Sequence, residues 1–282
     1  MSKARIDAHQ NFWAFNEADY PGLQDNNILQ QDYLPAYIEP ALIENGFHGS
    51  IAVQCRDSLD ETEFLISLSE EKSIIGVVGW VDLTAGNLLA TLSRYQGKVN
   101  GFRYPLIGQP EAFLKSEALN RGLRLLQDFG FTFDLLVSPD QLTDCAALVD
   151  ELPDQPFVLN HLGCPEYSEA GFNTWAEPIK VLAERPNVYC KLSSLVVEGG
   201  HGEWDEDVLD IDPLLPFVEV AIESFTPERL MFASDWPYCT LKATYDEVCD
   251  ITATCIDNLS ISEQAAIMGN TAARFYNITG LS

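Results

Sequence analysis

Four polar side chains stand at the ends of separate apolar runs: His9 after residues 5–8, Arg103 within 101–104, His161 in 157–162 and Asp235 after 230–234. The chain has only four histidines, and two of them fall at such ends. A carboxylate with one face open to water can act as a general base. Neutral imidazoles and a guanidinium can hold a carbonyl oxygen as it gains charge during attack. The arginine fork would also grip a carboxylate. His9, His161 and Asp235 are at the same time candidate metal ligands, three being the number a mononuclear zinc site takes from protein, with Asn11 a poor fourth. Lys191, inside the run 188–192, reads equally well as a substrate-facing lysine and as a buried structural one paired with Asp or Glu.

Each of these residues has an ordinary alternative. Asp235 precedes Trp236-Pro237 and could cap a turn. The histidines could be hydrogen-bonded core residues, and Arg103 a surface ion pair. Convergence at strand ends is what separates the readings. Trp13, Trp80, Trp236 and Tyr104 lie at or just beyond run ends, and Trp204 in a long loop; indole faces suit the C–H faces of sugar rings, although loop packing explains any one of them. Glu198 and His201, in Val-Glu-Gly-Gly-His-Gly-Glu-Trp-Asp-Glu-Asp, could reach the same opening or simply be part of a solvated acidic loop. Cys164 reads as a small packing residue.

The elements that must position these groups follow a repeating pattern. Runs at 5–9, 50–55, 74–81, 101–104, 131–137, 157–162, 188–192 and 230–234 read as strands. Between most of them lie stretches with apolar residues at i, i+3, i+4 and i+7, such as 61–72, 117–130, 140–153 and 174–186, closed by Gly or Pro. Eight β–α units predict an α/β fold, a (β/α)8 barrel occupying residues 1–282 as a single domain, with its site at the C-terminal strand ends. A doubly wound open sheet would usually carry a glycine-rich first turn, and Asp7-Ala8-His9-Gln10-Asn11 has none. Two connections are long, 10–49 with a helix near 32–45 and 193–229 with a helix near 213–225; such loops carry specificity on barrels.

Composition narrows the function classes. There are 43 Asp and Glu against 16 Lys and Arg, a formal net charge of −27, so nucleic-acid binding and adhesion to anionic lipid are not expected. No apolar run is long enough to span a membrane. The opening residues lack the apolar stretch of a signal peptide, and seven scattered cysteines without a Cys-x-x-Cys pair suit reduced thiols. A cytoplasmic location is expected, with a small molecule as partner and homo-oligomerisation left open.

The strings Ile-Asp-Ala-His-Gln-Asn-Phe-Trp (6–13), Gly-Phe-Arg-Tyr-Pro-Leu (101–106), Leu-Asn-His-Leu-Gly-Cys-Pro (159–165), Asn-Val-Tyr-Cys-Lys-Leu-Ser-Ser-Leu (187–195), Arg-Leu-Met-Phe-Ala-Ser-Asp-Trp-Pro (229–237) and Met-Gly-Asn-Thr-Ala-Ala-Arg-Phe-Tyr (268–276) carry a resemblance. Together they resemble the amidohydrolase superfamily, in its amidohydrolase-2 branch, which contains sugar-lactone hydrolases and 2-pyrone-4,6-dicarboxylate lactonase. The resemblance implies a distorted (β/α)8 barrel and a hydrolase that opens a small sugar-acid lactone, of the L-fucono- or L-rhamnono-lactonase kind. It makes Asp235 the base on water, His9 the first histidine of His-x-His, His161 the strand-six histidine and Arg103 the substrate-facing arginine. Trp13, Trp80, Tyr104, Lys191, Glu198 and Trp236 are the expected substrate contacts. Three departures accompany it. The second histidine of His-x-His is Asn11, the usual Asp-His-x-x-Lys-Pro is Asn160-His161-Leu162-Gly163-Cys164-Pro165, and the usual Ser-Gly after the strand-seven lysine is Ser193-Ser194. They remove ligands and charge, which implies no firmly required cofactor and at most a weakly bound zinc or manganese. A metal-dependent decarboxylase of the same superfamily and a sugar-acid-binding barrel without turnover remain as alternatives. Cations near Asp235 are expected to lower the pH at which it protonates.

Overall fold

The computed structural model describes residues 4–23, 28–196 and 211–280. Its strands are β1 (Ile6–Gln10), β2 (Gly49–Val53), β3 (Ile74–Gly79), β4 (Gly101–Pro105), β5 (Thr132–Leu136), β6 (Phe157–Leu159), β7 (Val188–Leu192) and β8 (Leu230–Phe232). They pair in parallel and in chain order as one eight-stranded sheet. The crossovers carry α1 (Pro35–Glu44), α2 (Leu59–Leu68), α3 (Leu88–Tyr95), α4 (Glu111–Leu114), α5 (Glu117–Phe129), α6 (Leu142–Asp150), α7 (Glu169–Ala183) and α8 (Leu215–Phe225). After β8 come α9 (Tyr245–Cys255), α10 (Ile261–Ala265) and α11 (Thr271–Phe275). The sheet closes just beyond its last strand, where the Asp235 N–H donates to the His9 carbonyl at 3.1 Å and the Asn11 N–H to the Trp236 carbonyl at 2.7 Å. This is the (β/α)8 barrel that the alternation of elements predicts. Among the described residues no helix is long and apolar enough to cross a membrane.

The strands are apolar on both faces because both are covered. Ile6, Ala8, Ile51, Val53, Val78, Val158, Met231 and Ala233 fill the inside of the barrel, and Ala272, Phe275 and Tyr276 pack against them from the α11 end. Phe102, Phe133, Phe157, Leu159, Leu192 and Phe232 belong instead to the larger cluster shared with the helices. Helix α5 shows how the shell is built. The Ser116 hydroxyl accepts from the Leu119 N–H, Gly130 ends the helix at φ 74, and Leu119, Leu123 and Leu126 form its buried stripe. Gly122 completes that stripe because a β-carbon there would lie 2.2 Å from the Leu83 carbonyl oxygen.

Two local departures from the expected strands place the chemistry. The β1–β2 register runs from Asp7 opposite Ser50 to Gln10 opposite Ala52, so β1 holds one extra residue, a bulge. The bulge lets His9 follow Ala8 toward the interior. It also brings Asp7 and Gln10 together, the Gln10 amide donating to Asp7 Oδ2 at 2.8 Å. The sixth strand was expected to run to residue 162 and ends at Leu159. Residues Asn160–Gly163 form a tight turn in which His161 and Leu162 both have φ 54. That conformation is costly for a side chain larger than glycine, and such residues are usually held by surrounding contacts. Ser193 supplies one, its hydroxyl accepting the His161 N–H at 3.2 Å.

Candidate active site

Asp235 follows β8 with φ 59, and its backbone bond to His9 sets the two side chains next to each other. His9 Nε2 lies 3.8 Å from Asp235 Oδ1. The other carboxylate oxygen, Oδ2, accepts a hydrogen bond from the Ser194 hydroxyl. Ser194 itself has φ 53, which gives a physical reason why glycine suits the position after Ser193. Here a serine holds a left-handed backbone and delivers a hydroxyl to the acid.

His161 brings its ring to within 4.7 Å of the His9 ring, centroid to centroid. Its Nδ1 lies 2.8 Å from the Ser193 hydroxyl. Arg103, buried on β4, reaches across with Nη1 3.4 Å from His9 Nε2, and its Nη2 donates to the Gln54 carbonyl at the end of β2. Its Nε is buried without a protein partner. The Gln54 amide donates back to the Arg103 carbonyl at 3.3 Å. Residues from β1, β4, β6 and β8 therefore meet at one end of the barrel, as the sequence led us to expect of strand ends.

Burial governs the protonation of this cluster. Both histidines are pushed well below their usual range, first by burial and then by the nearby cations Lys191 and Arg103, and His9 also by His161. Burial raises the Asp235 carboxyl to about 6, outweighing the Ser194 hydrogen bond and the attraction of Arg103. Arg103 and Lys191 do draw it down, as expected of nearby cations, but burial outweighs them. The imidazoles are held neutral and lend no charge, and desolvation of a carboxylate exceeds what Arg103 returns.

A match to the family model for amidohydrolases (Amidohydro_2) runs over residues 6–278. The chain belongs to the amidohydrolase family. An L-fucono-1,5-lactonase of Burkholderia multivorans is 37% identical over 98% of this chain and 97% of that protein. A second protein of that name, from Burkholderia ambifaria, is 29% identical over 97% of this chain and 96% of its own length. The crystal structure of a Burkholderia multivorans amidohydrolase with bound zinc superposes with a TM-score of 0.91 at 37% identity, covering 98% of this chain and 100% of that one.

For this amidohydrolase a metal is a fitting occupant by number and spacing. Ligand atoms of His9, His161 and Asp235 all lie within 4.8 Å of one another, three donors that leave a fourth position open. The neighbours are less accommodating, since Arg103 and Lys191 bring two cations to the two nitrogens of His9, at 3.4 and 3.2 Å. The Asn11 side chain also hydrogen-bonds His9. Its amide nitrogen is 2.8 Å from the Val53 carbonyl and ties the end of β1 to β2.

The remaining expected residues of the amidohydrolase site separate by position. Trp80 and Tyr104, at the ends of β3 and β4, stack at 6.3 Å and 18°, and Tyr104 stacks in turn on Phe113. The Trp80 indole N–H has no protein acceptor. Lys191 is fully buried behind His9 and paired with Asp134 at 2.5 Å. Trp13 has no exposed face; its N–H donates to the Gln31 carbonyl at 2.8 Å and its ring packs among Tyr20, Tyr33 and Tyr238. Trp236 is packed between Phe12 and Tyr33. Glu198, with His201 and Trp204, lies outside the described residues. Sequence reasoning gave no role to Gln54, Ser194 or Tyr276; the Ser-Ser pair after the strand-seven lysine was the available signal for Ser194.

Proposed function

We propose that this amidohydrolase hydrolyses a small sugar-acid lactone. The observation that carries the reading is the Asp235 carboxyl, pushed up to about 6 beside two neutral histidines and a buried arginine, in a chain 37% identical to an L-fucono-1,5-lactonase over nearly its whole length. An acid of that strength is mostly ionised at neutral pH and is a stronger base than an ordinary carboxylate. Asp235 Oδ1 takes a proton from water as the water oxygen bonds to the ring carbonyl carbon. Arg103 and the neutral imidazoles of His9 and His161 donate to the oxygen that becomes negative. Collapse breaks the ring carbon–oxygen bond, and the departing alkoxide takes back the proton that Asp235 carries. The products are the open hydroxy acid and, at neutral pH, one released proton.

Trp80 and Tyr104 supply a stacked aromatic wall for the C–H face of the sugar, and the unpartnered Trp80 N–H is a donor to one of its hydroxyls. A divalent metal held by His9, His161 and Asp235 would polarise the same carbonyl. The lactone is an activated ester, so we place the reaction within reach of the protein groups alone, with zinc or manganese weakly held. Sugar-acid lactones are screened with a pH indicator, with and without chelator. The expected result is acid release from at least one sugar lactone that persists after chelation. No acid release from any sugar lactone, with or without added zinc or manganese, would overturn the reading.

A further inference from the structure

Arg103 and a fully buried acid, Glu61, grip the same peptide group from opposite edges. Arg103 Nη2 donates to the Gln54 carbonyl. The N–H of that same peptide unit, on Cys55, donates to Glu61 Oε1 at 3.2 Å. In a planar trans peptide the N–H and C=O point in opposite directions, so turning the plane would break both bonds. Strand β2 ends at Val53, and Cys55 finds its acceptor in Glu61 rather than in a neighbouring strand. The start of α2 sets Glu61 in place, its own N–H donating to the Ser58 hydroxyl at 3.0 Å. Oε1 also accepts from the Cys55 thiol at 3.2 Å, while Oε2 accepts from the Tyr20 hydroxyl at 3.3 Å and has Arg56 Nε 3.4 Å away. Burial, and after it Glu61, push the thiol and the phenol up, so each keeps its proton and donates. The hydrolysis above uses Arg103 and gives Glu61 nothing to do.

We propose that Glu61 is a positioning residue for Arg103: through the Gln54–Cys55 peptide it holds the guanidinium where Nη1 faces His9. A carboxylate on the N–H polarises the peptide and strengthens its carbonyl as an acceptor. Arg103 needs that anchor. Its Nε is buried without a protein partner and its Nη1 meets the ring of His9 at 3.4 Å, so the bond to Gln54 fixes the plane of the fork. The two oxygens of Glu61 divide the work. Oε1 serves the peptide, and Oε2 ties down Tyr20 in the connection between β1 and α1. The worth of Arg103 to turnover rests on the lactone reading; the hold on its guanidinium does not.

The test uses three variants. Glu61→Met keeps the length of the side chain and removes the acceptor, Glu61→Gln keeps an oxygen for the Cys55 N–H, and Tyr20→Phe breaks the Oε2 bond alone. Side-chain NMR of 15N-arginine-labelled protein reads the guanidinium, with Arg103 assigned as the signals lost in Arg103→Met. A held fork shows distinct Nη protons and a free one averages them. Wild type, Glu61→Gln and Tyr20→Phe are expected to keep distinct Arg103 signals, and Glu61→Met to average them. On one lactone, kcat is expected to fall about tenfold or more in Glu61→Met and to stay within about threefold of wild type in the other two. Added to Arg103→Met, Glu61→Met should cost nothing further, because a residue that acts through another is silent once that other is gone. Where Glu61→Met does not fold, Glu61→Asp, which draws the carboxylate back by one methylene, takes its place with the same expectations. Averaged Arg103 signals in wild type overturn the proposal whether or not any variant folds. So does a folded variant without the acceptor that keeps distinct signals, or one that loses as much activity beside Arg103→Met as alone. If wild type hydrolyses no lactone while the signals behave as stated, the lactone reading falls and the hold on Arg103 stands.

Discussion

Asp235 and His9 are joined twice across the closing seam of the barrel, by a backbone hydrogen bond of 3.1 Å and by side chains that face each other at 3.8 Å. The backbone bond fixes where both side chains emerge, so the spacing of carboxylate and imidazole does not depend on a mobile loop. Placing groups on strand ends in this way gives the geometric precision that charge stabilisation demands.

Asp235→Asn is expected to lower turnover by about 10²–10⁴-fold, the usual worth of general-base assistance. The same change should raise stability at pH 7. With its folded-state carboxyl pushed up to about 6, Asp235 favours the native state only where it is protonated. That contribution is fully present below the unfolded value near 4 and is lost as pH rises through about 6. The asparagine variant escapes a cost at pH 7 of roughly 1–3 kcal/mol. Turnover and thermal midpoint measured together check both parts. A variant with full activity, or one that loses activity only as it loses fold, would show that Asp235 is not the base.

In wild type, kcat/KM is expected to fall as pH drops through about 6, because protonated Asp235 cannot accept a proton from water. An inflection near 4, where an ordinary carboxyl titrates, would mean that water reaches the acid more freely than its burial indicates.

Ser194→Gly relieves a left-handed backbone at φ 53 and removes the hydroxyl on Asp235. Stability should rise by about 0.5–1 kcal/mol, the relief of strain being partly offset by a looser unfolded chain. Turnover should fall by about tenfold, since hydrogen bonds to charged groups are worth about 1.5–3 kcal/mol. Denaturant midpoints and kcat on one lactone check the pair; unchanged kcat would assign the serine to folding alone.

Arg103→Lys keeps the charge and loses the fork that spans the Gln54 carbonyl and the His9 side of the site. Turnover is expected to drop by about 10²–10³-fold, the loss typical of a missing oxyanion donor. Lysine with near-native kcat would show that only net charge matters there.

Elemental analysis after dialysis against chelator is expected to find less than one metal per chain, with hydrolysis retained. One zinc per chain surviving that treatment would contradict weak binding.

The alternation of apolar runs made the eight strands legible, because strands covered on both faces leave continuous apolar stretches. The polar residues interrupting those stretches, Arg103 and Lys191 above all, were visible as anomalies. The extra residue in β1 was not legible, since a bulge is a matter of pairing with β2 and has no signature in Ile6–Gln10 alone. The early end of β6 was equally hidden; it depends on Ser193, 32 residues away, holding His161. Tyr276 was read as part of a motif, and its hydroxyl's contact with Asp134 spans 142 residues. Contacts of that range come from packing, which local pattern does not encode.

The same long spans bear on how the protein is made. Asp7, near the start of the barrel, accepts the Ser234 N–H from 227 residues away, and the Lys191–Asp134 pair gains its Tyr276 hydroxyl only from the last helix. A nascent chain emerging from the ribosome must therefore carry β1 through β7 with an open edge and an incomplete charged layer until β8 and Tyr276 have been translated. Ring closure waits for β8, and the growing chain is most exposed to misassociation just before then.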